Sequence, residues 1–439
     1  MHPDVLSPLY LEDATPLVEL SNRSGLSEPE VVLLEAVLRE NSLVKGDSAD
    51  FVGFLKIPDL PRPPFFLPKT TLKTGKCGDS SMVSLAATTL RVLEKYSRVI
   101  PRRNEGFDAM EPTANMHGME LLKVAIELLR DWQDNGHLAY AQQESTRGYE
   151  NKVNWSATIA ECTPIISTGN VIYLEPIASR VSANEQHFVS NLHRICVDRA
   201  FIIAGWLPEF QGATPEPIIG NGEEARWSTR EIIGLLTDAM DHEFSETRIR
   251  TLRLIIGMLE LRPALKRGIV CGTNAFETVW EEMCSVLLEN EWDTSFKHGL
   301  PQPRLYEALP GGADTEVPTR IRQRPDIVFN GPKGAIFCVD AKYYDVRFGF
   351  PDWKDFAKQF VYVDSLERRY PGSMIYNGFL FPLPSTDYPH SSKLVLERAS
   401  NNRAIHFDFV SMERVMAAYC TMNELLGAEI RSRLNARLA

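Results

Sequence analysis

The chain has 439 residues, of which 44% are hydrophobic and 24% are charged, and its formal net charge is −11. This composition is typical of a globular protein of more than one domain, and it excludes disordered, fibrous and membrane-spanning classes. Because no apolar run approaches the roughly 18 residues that cross a bilayer, and the first residues do not resemble a signal peptide, the sequence predicts a cytoplasmic protein.

The seven cysteines are scattered and include no C-x-x-C pair, which argues against a structural zinc site and against a disulfide framework. The charge is unevenly distributed. Residues 1–60 contain eleven acidic and four basic residues, whereas residues 62–103 contain nine basic and two acidic ones. This basic segment is a candidate contact for a DNA backbone. The alternative is a solvated face, or an intramolecular partner for the acidic first sixty residues. The residues predicted to bind DNA are Lys69, Lys73, Lys76, Arg102 and Arg103.

In chain order, apolar spacing predicts a helix over residues 28–42. The proline-rich stretch "IPDLPRPPFFLP" that follows is typical of a linker or an extended arm. A second amphipathic helix is expected over 119–140, ending at Asn135-Gly136. Short strands with a turn at residues 168–170 come next, and this order of elements is compatible with a winged-helix-like module. Residues 184–262 have the periodicity of further helices.

The last 170 residues interleave helices with strands, which predicts a mixed α/β domain. We therefore expect three regions. Residues 1–178 form a DNA-binding or partner-binding region, residues 179–265 a helical middle region, and residues 266–439 a domain with a mixed sheet flanked by helices. The N-terminal half is expected to be largely helical.

The stretch "RPDIVFNGPKGAIFCVDAKYYD" predicts a β-hairpin whose turn lies in residues 330–334. If the turn is centred on Pro332, Asp326 lies opposite Cys338 and diagonal to Asp340. Side chains alternate along a strand, so Asp340 and Lys342 share one face with Cys338. Under this register Asp326, Asp340 and Lys342 converge at one end of the hairpin.

Two neighbouring carboxylates repel each other unless a cation lies between them. A hard divalent ion, Mg²⁺ or Mn²⁺, resolves that conflict, and the backbone carbonyl of Ala341 could add a ligand. Such an ion activates water and stabilises charge on a phosphate, and Lys342 could orient the water or stabilise that charge. The alternative is a surface salt bridge between Lys342 and the two aspartates.

Two helices extend this predicted site. Glu277 and Glu281 lie four residues apart on one helix face, and of the two Glu277 is predicted to supply a third acidic ligand. Lys358, Gln359 and Tyr362 lie on the helix after the hairpin, where Gln359 and Tyr362, three apart, can point towards a phosphate or the flanking bases. Solvent exposure of the glutamates, and ordinary helix-surface roles for the other three, are the alternatives.

Together these residues resemble the PD-(D/E)XK nuclease superfamily, and within it the LlaJI-type restriction endonucleases, relatives of the McrC nuclease subunit. Four stretches carry the resemblance in the expected order. "GYENKVNWSATI" is similar to an upstream G-x-I-x-W-x-x-T-I element, with Asn151 where the family has glycine. "FETVWEEM" resembles the acidic helix, "RPDIVF" with "VDAKYY" the catalytic core, and "KQFVY" a Q-x-x-Y helix.

The resemblance implies a PD-(D/E)XK-type sheet with Asp326 and Asp340 as metal ligands, Lys342 as catalytic lysine, Glu277 as the acidic helix residue, and Gln359 beside the metal. It also implies a Mg²⁺-dependent endonuclease acting on double-stranded DNA in restriction or phage defence. McrC-like proteins work with a separate AAA+-type NTPase, and the segment "KTTLKTGKC" lacks the first glycine and the Ser/Thr of a P-loop. A partner NTPase and a homo-oligomer are therefore expected. The alternatives are a catalytically idle DNA-binding or assembly subunit and a standalone type II enzyme.

Overall fold

The computed structural model describes residues 8–72, 79–99, 116–150, 152–167, 169–184, 187–212, 214–215, 227–261, 268–297, 305–307, 315–317, 324–346, 349–383, 392–396 and 403–438. Its helices are α1 (Leu20–Ser24), α2 (Glu28–Glu40), α3 (Asp79–Ser97), α4 (Met119–Asn135), α5 (Trp155–Glu161), α6 (Phe188–Ala204), α7 (Thr229–Asp241), α8 (Glu246–Glu260), α9 (Phe276–Leu287), α10 (Trp353–Arg369), α11 (Met412–Thr421) and α12 (Glu424–Asn435).

The strands are β1 (Leu9–Glu12), β2 (Val44–Lys45), β3 (Ser48–Ala49), β4 (Val52–Lys56), β5 (Pro64–Leu67), β6 (Met116–His117), β7 (Tyr140–Arg147), β8 (Lys152–Val153), β9 (Ile165–Ser167), β10 (Asn170–Ile172), β11 (Ile177–Asn184), β12 (Ile269–Thr273), β13 (Leu305–Glu307), β14 (Thr315–Val317), β15 (Ile327–Asn330), β16 (Ile336–Ala341), β17 (Ile375–Leu383), β18 (Ser392–Leu396) and β19 (Arg403–Ser411). In the described residues no helix is both long and apolar enough to cross a membrane.

The described residues form two compact units. One lies within Leu121–Gly205 and Phe210–Pro263, and the other within Leu6–Glu120, Trp206–Glu209 and Ala264–Ala439. This division differs from the three sequence regions because β12 pairs antiparallel with β4 and with β6. The pairing joins the first 120 residues to the C-terminal part of the chain, so both belong to the larger unit. The functional roles expected of the three regions stay predictions.

The larger unit contains two five-stranded sheets. The first has the order β1-β5-β4-β12-β6 and carries helix α2 and its apolar core on one side. Gly53 of β4 and Gly272 of β12 are directly paired, and both have positive φ. A Cβ atom at Gly53 would lie 2.2 Å from the carbonyl oxygen of Cys271, so only glycine permits this close approach.

The predicted linker "IPDLPRPPFFLP" is wrong for its second half. Residues Pro64–Leu67 form β5, which is buried throughout and pairs with both β1 and β4. The three apolar residues after Pro64 explain this outcome. A proline is tolerated as the first residue of a strand, and burying Phe65 and Phe66 stabilises the sheet by about 1.5–3 kcal/mol per ring.

The second sheet of this unit has the order β15-β16-β17-β19-β18, with β16, β17 and β19 parallel and the edge strands antiparallel. The chain is thus a mixed α/β protein, as predicted. Helix α10 packs on one face of the sheet, where Tyr362, Val363 and Leu366 form a core with Val328 and Cys338. Parallel strands are buried on both faces, which explains why β16 is buried at every position.

The smaller unit combines the helices α4 and α6–α8 with a three-stranded antiparallel sheet, β7-β11-β8. The helices predicted for 119–140 and 184–262 are confirmed, although α5 lies where short strands were expected. The winged-helix comparison stays a prediction. A separate hairpin, β9 with β10, pairs Ile166 with Val171 and Ile165 with Ile172. These four side chains are 46–75% exposed, so apolar groups face solvent on both sides of the hairpin.

Candidate active site

The hairpin of β15 and β16 places two aspartates at its open end. Ile327 pairs with Val339 and Val328 with Cys338, so continuing the ladder by one position sets Asp326 directly opposite Asp340. The predicted register, with Asp326 opposite Cys338, is therefore wrong by two residues. The cause is the turn, which is centred on Lys333 in a left-handed conformation with φ of 56° rather than on Pro332. The predicted faces of the strand are nevertheless right.

Asp326 and Asp340 form a close carboxylate pair. Asp326 accepts a hydrogen bond from the backbone N–H of Ala341 (3.1 Å), which fixes its side chain against the end of β16. Burial, the charge of Asp340 and that of Glu281 together raise the pKa of Asp326 well above its usual range. Asp340 is only 2% exposed, and its Oδ1 has no hydrogen-bond partner among the described residues.

Lys342 contacts one member of this pair, Asp340. Its Nζ lies 2.8 Å from Oδ2 of Asp340 and 2.7 Å from Oδ1 of Asp355. Burial lowers the pKa of Lys342, but the charge of Asp340 and the hydrogen bonds to both aspartates outweigh it and raise the pKa. Asp355 lies in the first turn of α10, where its N–H donates to the N-cap residue Asp352. Lys342 is therefore held charged and oriented.

Lys358 is a second cation at the carboxylate pair, and the sequence placed it on the helix that extends the site without assigning it a contact with the aspartates. Its Nζ lies 4.0 Å from Oδ1 of Asp340, and its side chain is 45% exposed. Burial acts to lower the pKa of Lys358, but the charges of Asp326 and Asp340 raise it overall. Asp355 was missed as well. The D-x-x-D spacing of an N-capped helix was its available signal, but that spacing does not show that the carboxylate reaches Lys342.

Gln359 lies near the site but contacts backbone rather than carboxylates. Its Nε2 donates to the carbonyl oxygens of Cys338 (3.1 Å) and Gly378 (3.4 Å), which ties α10 to β16 and β17. Its side chain is 1% exposed, and Tyr362 is likewise buried in the core beneath α10. A direct role of Gln359 at a metal ion stays a prediction.

The two glutamates of α9 differ in their surroundings. Glu277 is exposed, whereas Glu281 is partly buried and its charge acts on Asp326. Both line a cavity of about 730 Å³ together with Lys342 and Tyr343. Since one helical turn separates them, the sequence places both on one face without indicating which carboxylate approaches the aspartates.

The opposite wall of this cavity comes from the first sheet. Tyr343, next to Lys342, accepts a hydrogen bond from the N–H of Lys69 (2.8 Å), and the Lys69 ammonium lies 4.5 Å from the centre of its ring. Lys69 also pairs with the buried carboxylate of Asp13 at 3.6 Å. This is the kind of pairing that the intramolecular alternative describes, and DNA binding by Lys69 stays a prediction. The other predicted DNA-binding residues lie outside the described residues: Lys73, Lys76, Arg102 and Arg103.

The donor set suits a hard divalent cation by its chemistry. Four carboxylates and two ammonium groups meet here, which leaves a net charge of −2 when all are ionised: Asp326, Asp340, Glu281, Asp355, Lys342 and Lys358. Oδ1 of Asp340 is buried and accepts no hydrogen bond from any described residue. Across the described ranges, however, no group of three or more Asp, Glu, His or Cys side chains is arranged so that it could hold a metal ion. The aspartate pair is therefore the part of the site that fits a metal ion.

Fold and site together define a mixed α/β protein with a carboxylate–lysine cluster where an antiparallel hairpin ends. The LlaJI restriction endonuclease family matches residues 51–423, and the chain belongs to that family. This confirms the resemblance read from the sequence.

Two further comparisons found proteins to which this chain is similar. The chain is 23% identical over 300 residues to the "Type II restriction enzyme BsuMI component YdjA" of Bacillus subtilis (strain 168), a match that covers 65% of this chain and 61% of that protein. A solved assembly of Thermococcus gammatolerans McrB AAA+ hexamers with bound McrC matches with 13% identity and a TM-score of 0.37, covering 96% of this chain and 99% of that one.

Proposed function

We propose that this protein is a metal-dependent deoxyribonuclease of a restriction or phage-defence system. The observation that carries the proposal is the Asp326–Asp340 pair. Lys342 is bonded to Oδ2 of Asp340, and Oδ1 of the same carboxylate accepts no hydrogen bond from the part of the chain that the structure describes. A purely structural salt bridge does not require a second, partly buried aspartate beside Asp340, because a carboxylate left without a full set of partners away from water destabilises the fold. Membership of a restriction endonuclease family supports the same function.

In this proposal Asp326 and Asp340 hold Mg²⁺ or Mn²⁺, with the Ala341 carbonyl and Glu281 or Glu277 as further oxygen donors. The bound ion would lower the pKa of a water molecule and stabilise charge on the phosphate. Lys342, kept charged by Asp340 and Asp355, donates hydrogen bonds to the attacking water or to the developing negative charge. Asp355 acts through Lys342 by restricting its rotamers.

Substituting Asp340 tests this function. Asp340→Asn keeps the size of the side chain but removes its charge, and we expect at least about 100-fold slower cleavage of plasmid DNA with Mg²⁺. DNA binding should persist, and Mn²⁺ binding should weaken in the absence of DNA. Asp293→Asn is the matched control, since that aspartate is 65% exposed in a surface pair with Lys297. Cleavage by Asp340→Asn at the wild-type rate would falsify the proposal.

We further propose that the nuclease works as a subunit beside a separate NTPase. The sequence holds no complete P-loop, and a relative is named as a component of a restriction enzyme. The hairpin of β9 and β10 is the surface assigned to this partner, because a two-stranded hairpin with exposed apolar groups on both faces is marginally stable alone. A homo-oligomer stays a prediction.

A further inference from the structure

Two lysines bracket the carboxylate of Asp340, and they differ in kind. Lys342 contacts Oδ2 at 2.8 Å, is 14% exposed and is also bonded to Asp355. Lys358 faces the other oxygen, Oδ1, at 4.0 Å, which is beyond hydrogen-bond distance. Its side chain is 45% exposed. Lys342 is therefore fixed within the site, whereas Lys358 reaches it from solvent.

The position of Lys358 conflicts with a divalent ion at the aspartate pair. Oδ1 of Asp340 has no hydrogen-bond partner in the described part of the chain, so it is the free acceptor for a cation. An ammonium 4.0 Å from this oxygen repels any metal ion that binds there. If its only role were to neutralise Asp340, a direct hydrogen bond at about 2.8 Å would be the better arrangement.

The surroundings of Lys358 leave its ammonium free to turn towards a second anion. Its backbone is fixed, because the adjacent Gln359 is hydrogen-bonded to the carbonyls of Cys338 and Gly378. The ammonium lies 5.5 Å from the centre of the Tyr362 ring, four residues further along α10, while the side chain keeps 45% of its surface exposed. A flexible four-carbon side chain with a fixed base, beside two carboxylates and open to solvent, is suited to contact a phosphate that approaches them.

We propose that Lys358 is a catalytic residue that binds a non-bridging oxygen of the scissile phosphate, and that without DNA it competes with the metal ion for Asp340. This inference rests on the proposed nuclease function. It assigns the two lysines different tasks. Lys342 donates hydrogen bonds to the attacking water or to the negative charge that develops beside the metal ion. Lys358 turns from Asp340 to the substrate phosphate once phosphate and metal ion are both present.

The test measures two quantities that should move in opposite directions in Lys358→Met. Titration with Mn²⁺ in the absence of DNA should show binding tightened by roughly 3- to 10-fold, because a nearby positive charge is removed. Cleavage of plasmid DNA at saturating Mg²⁺ should slow by about 10-fold or more in kcat. Lys358→Arg keeps the charge, so its Mn²⁺ affinity should stay near that of the wild type.

Lys354→Met is the matched control. Lys354 is exposed on the same helix four residues earlier, and we expect neither quantity to change. A Lys358→Met protein with unchanged Mn²⁺ affinity, or with wild-type cleavage, overturns the inference and leaves the nuclease function standing. A wild-type protein that binds Mn²⁺ but cleaves no DNA, alone or with its partner NTPase, overturns the proposed function and the phosphate contact with it.

Discussion

Asp326 and Asp340 lie one residue beyond the last pair of the β15–β16 ladder, and the N–H of Ala341 donates to the Asp326 carboxylate. Their proximity is set by backbone pairing rather than by flexible side chains. The repulsion between them is therefore present in the folded protein before any ligand binds, and the free energy of unfolding is lower for it. A site held in this way is pre-organised for a cation.

The two glutamates of α9 provide a matched pair of substitutions. Glu281→Gln removes the charge that acts on Asp326, so we expect weaker Mn²⁺ binding and about 10-fold or greater loss of cleavage. Glu277→Gln changes an exposed residue, and its effect should stay within about 2-fold. Isothermal titration and plasmid cleavage measure both. The reverse ranking would show that Glu277 is the ligand, as the sequence predicted.

Gln359 should matter for stability as well as for activity. Gln359→Ala removes hydrogen bonds to two strands and leaves a cavity beneath α10, and we expect unfolding to be easier by about 2–4 kcal/mol. Urea unfolding measures this, with Lys354→Ala on the same helix as the control. Unchanged stability with abolished cleavage would instead support the direct role at a metal ion that the sequence suggested.

Asp13 makes the stability of the larger unit depend on pH. Burial is the main cause that raises its pKa to about 6, and Asp50 adds to it, while Lys69, the Tyr343 hydroxyl and the Phe51 N–H act in the opposite direction. The folded state therefore favours the protonated acid. Below the unfolded-state pKa of about 4, Asp13 is protonated in both states and costs no stability. As the pH rises from there to about 6, the free energy of unfolding falls by a few kcal/mol, because the unfolded chain ionises more readily.

Asp13→Asn cannot titrate, so comparison with the wild type isolates this effect. We expect the stability of the wild type relative to Asp13→Asn to fall between pH 4.5 and 6.5 and to level off above that range. Urea denaturation at several pH values measures the difference. Asp59→Asn, at an exposed turn residue, is the control. A difference that is constant over this range, or that rises with pH, would contradict the assignment.

The apolar hairpin of β9 and β10 should be needed for partner binding but not for folding. Ile166, 75% exposed, lies opposite Val171, and Ile166→Asp places a charge in the middle of this surface. We expect at least 10-fold weaker binding to the cognate NTPase, with Mg²⁺-dependent nicking by the isolated subunit unchanged. Phe244→Asp, at a 97% exposed position in the same unit, controls for a general effect of added charge. If Ile166→Asp and Phe244→Asp bind the NTPase equally well, the hairpin is not the surface that binds this partner.

Local features were predictable because local chemistry determines them. Strand alternation placed Asp340 and Lys342 on one face, and helical spacing identified α9 and α10. The register failed because the turn holds Lys333, a residue without glycine's freedom, in the left-handed region. No pattern in the sequence marks that choice.

Contacts between distant segments were not predictable from one sequence. Asp355 reaches Lys342, and Lys358 reaches Asp340, only because α10 packs at a particular depth on the sheet, where the buried Gln359 is bonded to the strands. The tie between Lys69 and Tyr343 joins residues 274 positions apart, and neither carries a local signal for it. Such pairings depend on the tertiary arrangement, which periodicity does not encode.

The pairing of β12 with β4 and β6 limits how this protein can be dissected. A fragment that begins near residue 266 would contain every acidic and basic group of the carboxylate–lysine cluster, yet its first strand, β12, would have lost both neighbours. Ile269 and Cys271 would then face water, and Tyr343 would lack the amide that holds its hydroxyl. A folded C-terminal fragment therefore requires the first 120 residues, supplied either in the same chain or as a co-expressed fragment.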